Sequence, residues 1–205
     1  MLIRKAQPCD SKESSKLIYE SGSKICDFMF KTKRKDTLDF IKFEFNSNKG
    51  FFSHKNMFTG VVDTEIVANI GTYFEYKLKN LMIETLINAF KFYSFGEFIQ
   101  VFKRIIYLKK ITPNLKPLSL YVGNLAIKKQ YREKGYGTQL INSVIIFAQE
   151  QQQEFLCFDV YEDNKRAIKL YERIGCIKGG TDSVFLASEL LPKQIRMFKK
   201  LGCSN

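Results

Sequence analysis

The sequence predicts a mixed α/β fold in which strands and amphipathic helices alternate. Runs of apolar, β-branched and aromatic residues near positions 57–74, 118–127 and 155–160 have the length and composition of strands. Elsewhere, apolar residues recur every three or four positions, which is the spacing of one helix face. Hydrophobic residues make up 45% of the 205-residue chain, enough to bury a full core, so a mainly disordered chain is excluded.

The N-terminal region is predicted to form one strand and two helices. Residues 2–6 are consistent with an opening strand. Asp10 is followed three residues later by Glu13, a pattern that resembles a capping box and predicts a helix running to about Gly22. Asp36 is a candidate cap for the second helix, which a polar loop at 46–50 follows.

The next two strands are predicted to form a hairpin. Residues 57–63 and 66–74 are β-branched or aromatic runs separated only by Thr64 and Glu65, as in an antiparallel pair. Gly71 inside the second run indicates a bulge or a close approach of the backbone to another group.

Residues 75–118 lack this strand pattern and are predicted to form a helical insertion. Two amphipathic helices lie on either side of Gly96, closed by Pro113 and Pro117. Their large aromatic residues stand beside basic ones: Lys91, Lys103, Arg104, Lys109 and Lys110. Two interpretations stay open: binding to a membrane surface or a partner, and packing onto the domain or across a dimer interface, which we favour.

The C-terminal region returns to alternating strands and helices. The predicted elements are a strand at 118–127, a helix at 138–150, a strand at 155–160, a helix at 164–174 that stops at Gly175, and two strands near 177–186 and 195–199.

The chain is strongly basic. Its 33 Lys and Arg residues against 21 Asp and Glu residues give a formal net charge of +12. Such a surplus suits an anionic partner, namely a polyphosphate cofactor, a nucleic acid, an acidic protein or a membrane surface, although it is equally consistent with a lysine-rich solvated surface. The absence of a helix-turn-helix, zinc or RNA-binding signature argues against nucleic acid.

Cysteine usage indicates free thiols. The five cysteines are odd in number and include no C-x-x-C pair, which argues against a disulfide framework or a zinc site. They are Cys9, Cys26, Cys157, Cys176 and Cys203, and the single histidine, His54, falls in a predicted loop far from them. We expect a cytoplasmic protein without a bound metal, because residues 1–5 begin no signal peptide and no stretch approaches ~18 apolar residues.

The most informative segment is a strand followed by a glycine loop and a helix, at residues 125–138. Arg132, Gly135 and Gly137 form the pattern R-x-x-G-x-G directly after the apolar strand. Glycines allow successive N–H groups to point at one spot, and the new helix adds its unpaired N–H groups there, which suits a diphosphate. The same glycines also permit a plain tight turn, and the order matches neither a dinucleotide fingerprint nor a P-loop.

A second motif follows at the right spacing. After the strand at 155–160 come Asn164 and the pattern A-x-x-x-Y-x-x-x-G at Ala167, Tyr171 and Gly175. With both motifs, the chain resembles the GNAT superfamily of N-acetyltransferases, strongly over 118–175 and weakly at the N-terminal elements and at 196–201. The resemblance implies one domain over 1–205, with a central, mixed but mostly antiparallel β-sheet flanked by helices. The insertion at 75–118 departs from the short connection usual in the family.

The resemblance also implies acetyl-coenzyme A as co-substrate, with no metal. The strand backbone at Leu125, Ala126 and Ile127 would pair with the pantetheine arm. The pyrophosphate would bind the main-chain amides of Arg132, Glu133, Lys134, Gly135, Tyr136, Gly137 and Thr138. Lys128, Lys129 and Lys134 either meet the adenosine 3′-phosphate or are solvated surface residues.

Two side chains would complete the site. The resemblance places Asn164 against the pantetheine, while its residue type also suits a helix N-cap. Tyr171, two helical turns later on the same face, would protonate the departing thiolate, or else is a buried aromatic that packs on the sheet. Reaction by direct attack needs no nucleophilic cysteine.

No general base is assigned. Tyr121 and Asn124 occupy the strand on which some family members carry a glutamate, and Glu65, Glu75, Asp159 and Glu162 are candidates acting through water.

The expected activity is transfer of an acetyl group to a primary amine of a small molecule or a protein, with a homodimer possible. The alternatives are a non-catalytic coenzyme A-binding sensor and a basic protein that binds nucleic acid or a membrane surface. We expect the insertion to form part of the acceptor wall, and its aromatic residues indicate a bulky, partly apolar acceptor or a protein surface.

Overall fold

A computed structural model describes residues 1–179, 184–185 and 191–202, and its strands and helices alternate as predicted. The strands are β1 (Leu2–Lys5), β2 (Met57–Val62), β3 (Glu65–Phe74), β4 (Ser119–Ile127), β5 (Phe155–Tyr161), β6 (Ile177–Lys178), β7 (Val184–Phe185) and β8 (Gln194–Lys200). The helices are α1 (Ser11–Ser21), α2 (Ser23–Phe30), α3 (Thr37–Phe45), α4 (Leu78–Phe92), α5 (Phe95–Ile111), α6 (Tyr136–Glu150) and α7 (Lys165–Arg173).

The strands form one sheet in the order β1-β2-β3-β4-β5-β8-β6, and β7 also pairs with β8. Among the described strands, β4 and β5 are the parallel pair, and every other pairing is antiparallel. The predicted mixed, mostly antiparallel sheet with flanking helices is therefore confirmed.

Each face of the sheet carries its own hydrophobic core. On one face, α6 and α7 pack residues such as Leu140 and Ile168 against Leu120 and Phe158 of the sheet. On the other face, the N-terminal helices and the insertion pack around Tyr73. The burial of aliphatic and aromatic side chains on both sides is the main stabilising contribution to the sheet.

The insertion folds as the two predicted amphipathic helices, α4 and α5. Their inner sides bury Leu81, Ala89, Val101 and Ile105 in the second core. Helix α5 begins with a capping box in which Ser94 and Glu97 each bond to the other's backbone. None of the helices in the described ranges is both long and apolar enough to cross a bilayer.

Several local predictions needed correction. The capping box at Asp10 is wrong, because the Asp10 carboxylate binds Arg4 at 2.7 and 2.8 Å and the Gln7 N–H at 2.8 Å, although α1 still begins at Ser11. Helix α2 was not among the predicted elements, because its eight residues are too few for a clear helical period. Asp36 occupies the N-cap position of α3 without a capping bond from its side chain.

Other element boundaries moved by one or two residues. The hairpin turn consists of Asp63 and Thr64, both with positive φ (46° and 71°), rather than Thr64 and Glu65. Helix α6 begins at Tyr136 instead of Thr138. In the tail, β8 is confirmed, whereas the strand predicted near 177–186 is represented by β6 and β7 and lies partly outside the described residues, as does Cys203.

Gly71 shows the close approach expected of it, and it lies beside a bulge whose extra residue is on β4 rather than on β3. The pairing of β3 with β4 shifts register between Asn69 and Gly71, which marks a bulge. A Cβ atom at Gly71 would lie 2.5 Å from the Tyr73 hydroxyl, so the ring occupies the space that a side chain would need.

Glu44 on α3 is a fully buried carboxylate. It accepts hydrogen bonds from the Phe52 N–H at 2.9 Å and from Asn88 Nδ2 at 3.0 Å. Burial raises its pKa to about 7, against the lowering effect of the bonds from Phe52, Asn88 and Thr85. Protonation of the Glu44 carboxylate is therefore coupled to folding.

We expect Glu44→Gln to remove a pH dependence of stability that the wild type shows. The folded-state pKa lies above the unfolded value near 4.5, so the contribution of Glu44 is complete below that value and is lost as the pH rises through about 7. The loss amounts to roughly 3 kcal/mol. Urea unfolding of both proteins across this range measures the difference in unfolding free energy, and a difference that does not change with pH would contradict the expectation.

Candidate functional site

The site lies where the neighbouring strands β4 and β5 separate. Their parallel pairing runs from Ser119 beside Phe155 to Val122 beside Phe158. Beyond this point β4 remains paired with β3 and β5 with β8, so the edges that face each other have no strand partner in the described chain. A cavity of about 1400 Å³ occupies the opening. Unpaired strand edges carry main-chain donors and acceptors that a ligand can use.

A bulge at Asn124 shapes the β4 side of the opening. Its φ is +53°, a left-handed conformation that asparagine adopts more readily than most residues. The Asn124 side chain accepts a hydrogen bond from the Tyr73 hydroxyl at 2.7 Å, and its carbonyl accepts one from Asn69 Nδ2 at 3.4 Å. These bonds hold the bulge in place. Apart from the residue type, no sequence pattern indicated this bulge.

The loop after β4 turns sharply before α6. A 3₁₀ helix (Lys129–Tyr131) is followed by two residues in the left-handed region, Glu133 with φ +67° and Gly135 with φ +77°. Gly137 lets α6 approach α7, because an added Cβ would lie 3.1 Å from Leu170 Cδ2. The two glycines thus serve different purposes, a backbone turn and a close helix contact.

Six consecutive main-chain amides in this loop, at 133–138, have no hydrogen-bond partner within the described ranges. The first backbone bond of α6 runs from the Gln139 N–H to the Gly135 carbonyl at 3.1 Å, so the first helical turn keeps its N–H groups free. The Arg132 amide differs, since it donates to the Lys129 carbonyl at 3.3 Å. A left-handed turn next to a helix N-terminus is a recognised arrangement for binding anions.

Basic side chains of α7 surround this loop. Arg173 donates to the Thr138 hydroxyl at 2.9 Å, and Arg166 approaches the Glu133 carboxylate at 3.6 Å. Both line the cavity together with Lys169. Sequence reasoning missed these three residues, although their spacing of three and four along one helix face was a usable signal.

Lys128 points away from the cavity. Its ammonium group binds Glu13 at 2.6 Å and Glu65 at 2.9 Å, which leaves it engaged on the other side of the loop. Lys134 lies with its ammonium group 5.2 Å from the centre of the Tyr131 ring and does not line the cavity.

The remaining predicted site residues line this one cavity. They are Leu125, Ala126, Ile127, Arg132, Glu133, Gly135, Tyr136, Gly137, Thr138, Asn164 and Tyr171.

Asn164 and Tyr171 belong to α7. Asn164 caps the helix by accepting a hydrogen bond from the Ala167 N–H at 3.1 Å. Tyr171 is 6% exposed and stacks on Phe158 with ring centroids 4.3 Å apart. Burial, followed by the charges of Cys176 and Asp159, raises the pKa of Tyr171 well above its usual value. The phenol is therefore neutral at physiological pH and can donate a proton.

The candidate bases differ in their availability. Asp159 forms a bidentate ion pair with Arg196, at 2.7 and 2.8 Å, and Arg196 is also bound to main-chain carbonyls of the 112–117 loop. Glu65 accepts bonds from Lys128 and from the Tyr131 hydroxyl, which lower its pKa, and it does not line the cavity.

Besides Asp159 and Glu133, two further carboxylates line the cavity. Glu75, at the start of the insertion, was a candidate from the sequence, whereas Glu20 of α1 was not considered. Glu162 does not line the cavity and is paired with Lys193 at 2.9 Å.

Three cysteine thiols and the histidine are buried among structural contacts. Burial raises the pKa of Cys26 and Cys176 to about 12, and raises that of Cys157 as well, so these groups stay protonated. His54 is buried and its Nδ1 lies 2.8 Å from the Phe45 carbonyl.

The part of the cavity away from the glycine loop has an apolar wall. It is built by α2, α4 and α5 together with the segment before β2, and its lining includes Ile25, Met29, Phe30, Phe51, Leu78, Met82, Ile105 and Leu108. The insertion therefore contributes to the same cavity as the loop at 132–138, which we call the anion loop.

Comparison with known proteins adds to this geometry. The sequence model of the acetyltransferase (GNAT) family matches residues 28–176. A crystal structure of an N-acetyltransferase from Staphylococcus aureus Mu50 aligns with a TM-score of 0.70 at 18% identity, covering 97% of this chain and 100% of that one. The crystal structure of an acetyltransferase aligns at 0.69 and 14% identity, covering 98% and 100% of the two chains. The ribosomal-protein-S18-alanine N-acetyltransferase from Escherichia coli aligns at 0.54 and 12% identity, covering 100% and 96%.

We expect Gly135→Ala to weaken the binding of inorganic pyrophosphate about fivefold or more, because a side chain in the left-handed conformation costs roughly 1–2 kcal/mol. The free loop avoids this cost by relaxing out of the turn, and binding must restore the turn. The matched control is Gly96→Ala in the first turn of α5, where no atom lies within 4 Å of an added Cβ. Isothermal titration calorimetry measures both affinities. Equal binding by the two variants would contradict the role of the Gly135 turn.

Proposed function

Because the match over residues 28–176 shows that the chain belongs to the GNAT acetyltransferase family and is an acyltransferase, we propose that it transfers an acetyl group from acetyl-coenzyme A to a primary amine. The observation that carries this proposal is the run of six free amides at 133–138 at the end of β4. A diphosphate needs several fixed donors, and a helix N-terminus supplies them together with a favourable dipole.

The proposed coenzyme site extends from this loop along β4. The amides of Glu133, Lys134, Gly135, Tyr136, Gly137 and Thr138 hold the pyrophosphate, with Arg132 at the edge of the same loop. The free edge of β4 at Leu125, Ala126 and Ile127 pairs with the amide groups of the pantetheine arm. Support comes from the end of β4–β5 pairing at Val122, which leaves that edge without a strand neighbour.

Side chains of α7 complete the coenzyme site. Arg166 and Arg173 add positive charge beside the anion loop. Asn164 contacts the pantetheine through its amide nitrogen, since its oxygen already caps the helix. Tyr171 lies two turns further along the same helix face and acts as the acid.

The proposed reaction is direct attack of the neutral amine on the thioester carbonyl. The nitrogen forms a bond to the carbonyl carbon, the carbon–sulfur bond breaks, and the thiolate takes a proton from Tyr171. A main-chain N–H of β4 stabilises the oxyanion. The amine loses its proton through water to Glu20 or Glu75, which line the acceptor side.

Tyr171 can act in this way only if the site also destabilises the thiolate. An ordinary thiol is more acidic than an ordinary phenol, so proton transfer from the phenol is uphill in water. Burial raises the pKa of the phenol and that of the thiol alike, because it disfavours the charged form of each group. The raised pKa of Tyr171 fits a group that stays protonated until the thiolate appears.

The apolar wall suggests the acceptor. Met29, Met82 and Leu108 come from three different helices and line the region opposite the anion loop. An amine that carries a bulky apolar group buries area there that a small polar amine cannot. We therefore propose an acceptor of this kind, either a small molecule or a peptide end.

The proposal treats residues 1–205 as one N-acetyltransferase domain that includes the insertion. The sheet that runs from β1 to β8 supports this organisation. A cytoplasmic location suits the free thiols of Cys9, Cys26, Cys157 and Cys176, because reducing compartments keep cysteines unpaired.

The activity is tested by mass spectrometry of the coenzyme that co-purifies with the protein, followed by thiol release from acetyl-coenzyme A over an amine library. We expect turnover, fastest with bulky apolar amines. Coenzyme binding without turnover over a broad library would instead favour a regulatory sensor, the alternative function.

We expect Tyr171→Phe to lower kcat by about 10²-fold or more while leaving coenzyme affinity nearly unchanged, since it removes a proton donor and keeps the ring on Phe158. Tyr161→Phe is the matched control, because Tyr161 also lines the cavity. Steady-state kinetics and titration calorimetry give the two quantities. If kcat falls in the control and not in Tyr171→Phe, the acid is misassigned.

We expect Met82→Trp to raise the KM for a bulky amine about tenfold, because the larger ring fills part of the apolar wall. Ile83→Trp, at the neighbouring position of α4, is the control, since Ile83 is 53% exposed and lies outside the cavity. An unchanged KM in Met82→Trp would exclude the insertion from the acceptor wall.

A further inference from the structure

Helices α4 and α5 expose large apolar side chains outside their buried residues, opposite the buried side on α4 and next to it on α5. On α4 these are Ile83, Ile87 and Phe90, which follow the helical spacing of four and three. On α5 they are Phe95 and Phe102, with the half-buried Phe98 between them. We call these six residues the outer face.

The outer face is one continuous patch. The Phe90 ring on α4 meets the Phe98 ring on α5 with centroids 5.2 Å apart, and Phe98 meets Phe102 at 6.1 Å. Phe95 is 71% exposed and Phe90 58%, so the rings are not covered by the rest of the described chain. A contiguous exposed apolar patch of this kind commonly marks an interaction surface.

The exposed charged side chains of α4 and α5 are all positive. Outside the cavity, the exposed charged positions of α4 and α5 are Lys91, Lys103 and Lys110, whereas Lys79 and Lys109 line the cavity. The two carboxylates on these helices are turned to other partners, Glu84 to the Gly50 N–H at 3.0 Å and Glu97 to the Thr32 hydroxyl at 2.7 Å. Neither is exposed.

We propose that the outer face docks onto an anionic lipid surface, with its rings and isoleucines in the interface and its lysines at the headgroups. Aromatic and aliphatic side chains beside lysines are the composition of helices that lie in a membrane interface. Lysine is depleted in protein–protein interfaces, and a second copy of a chain with net charge +12 would bring like charges together. Long lysine side chains can instead extend along the patch and reach phosphate groups.

The test is flotation of the full chain with two kinds of vesicle, phosphatidylcholine alone and a phosphatidylcholine–phosphatidylserine mixture. We expect binding to the mixture and little to the neutral vesicles. The double variant Ile87→Glu/Phe90→Glu should bind at least about tenfold more weakly, since burial of each side chain is lost. Lys91→Gln/Lys103→Gln should weaken binding more than tenfold, at about fivefold for each lysine.

Control variants carry single changes of the same kinds outside the outer face. Ile146→Glu alters a 57% exposed isoleucine on α6, and Lys12→Gln an exposed lysine on α1, and both should bind like the wild type. Coenzyme binding, measured in parallel, should be equal in all variants, because none of the substituted residues lines the cavity.

Three outcomes would overturn the proposal. They are absence of binding to the mixed vesicles, binding that the outer-face variants do not weaken, and a wild-type dimer by analytical ultracentrifugation that Phe90→Glu converts to a monomer. The last would assign the patch to a second copy of the chain.

Discussion

The separation of β4 from β5 is the constraint on which the rest of the site depends. The pairing at Val122 and Phe158 is the last between the two strands, and the residues beyond it keep partners only on their outer sides. A sheet interior that opens in this way leaves main-chain groups that must be satisfied by water or a ligand. The cavity, the free edge of β4 and the position of the glycine loop at its end all follow from that opening.

The cavity joins two environments with different chemistry. Its anion side is built by local structure, namely a left-handed turn, a helix N-terminus and the arginines of α7. Its apolar side is built by residues far apart in sequence, on α2, α4 and α5. One part supplies charge and donors, and the other supplies shape and apolar area, so one cavity offers two kinds of binding surface.

What the sequence predicted well was local. The glycine turn before α6, the cap at Asn164 and the two amphipathic helices of the insertion each depend on residues a few positions apart. The Asn124 bulge and the pairing of Asp159 with Arg196 depend on contacts between distant segments, which no short pattern encodes. Asp10 illustrates the same limit, because a tertiary contact with Arg4 replaced the expected cap.

The ion pair of Arg196 and Asp159 links the C-terminal strand β8 to the segment that follows α5. The guanidinium of Arg196 on β8 also holds the Pro113 and Asn114 carbonyls, at the point where the chain leaves the insertion for β4. The exit of α5 is thus fastened by a strand near the end of the chain. Arg196 follows Pro113 by 83 residues, so during synthesis the apolar side of the cavity gains this tether only after β8 has emerged.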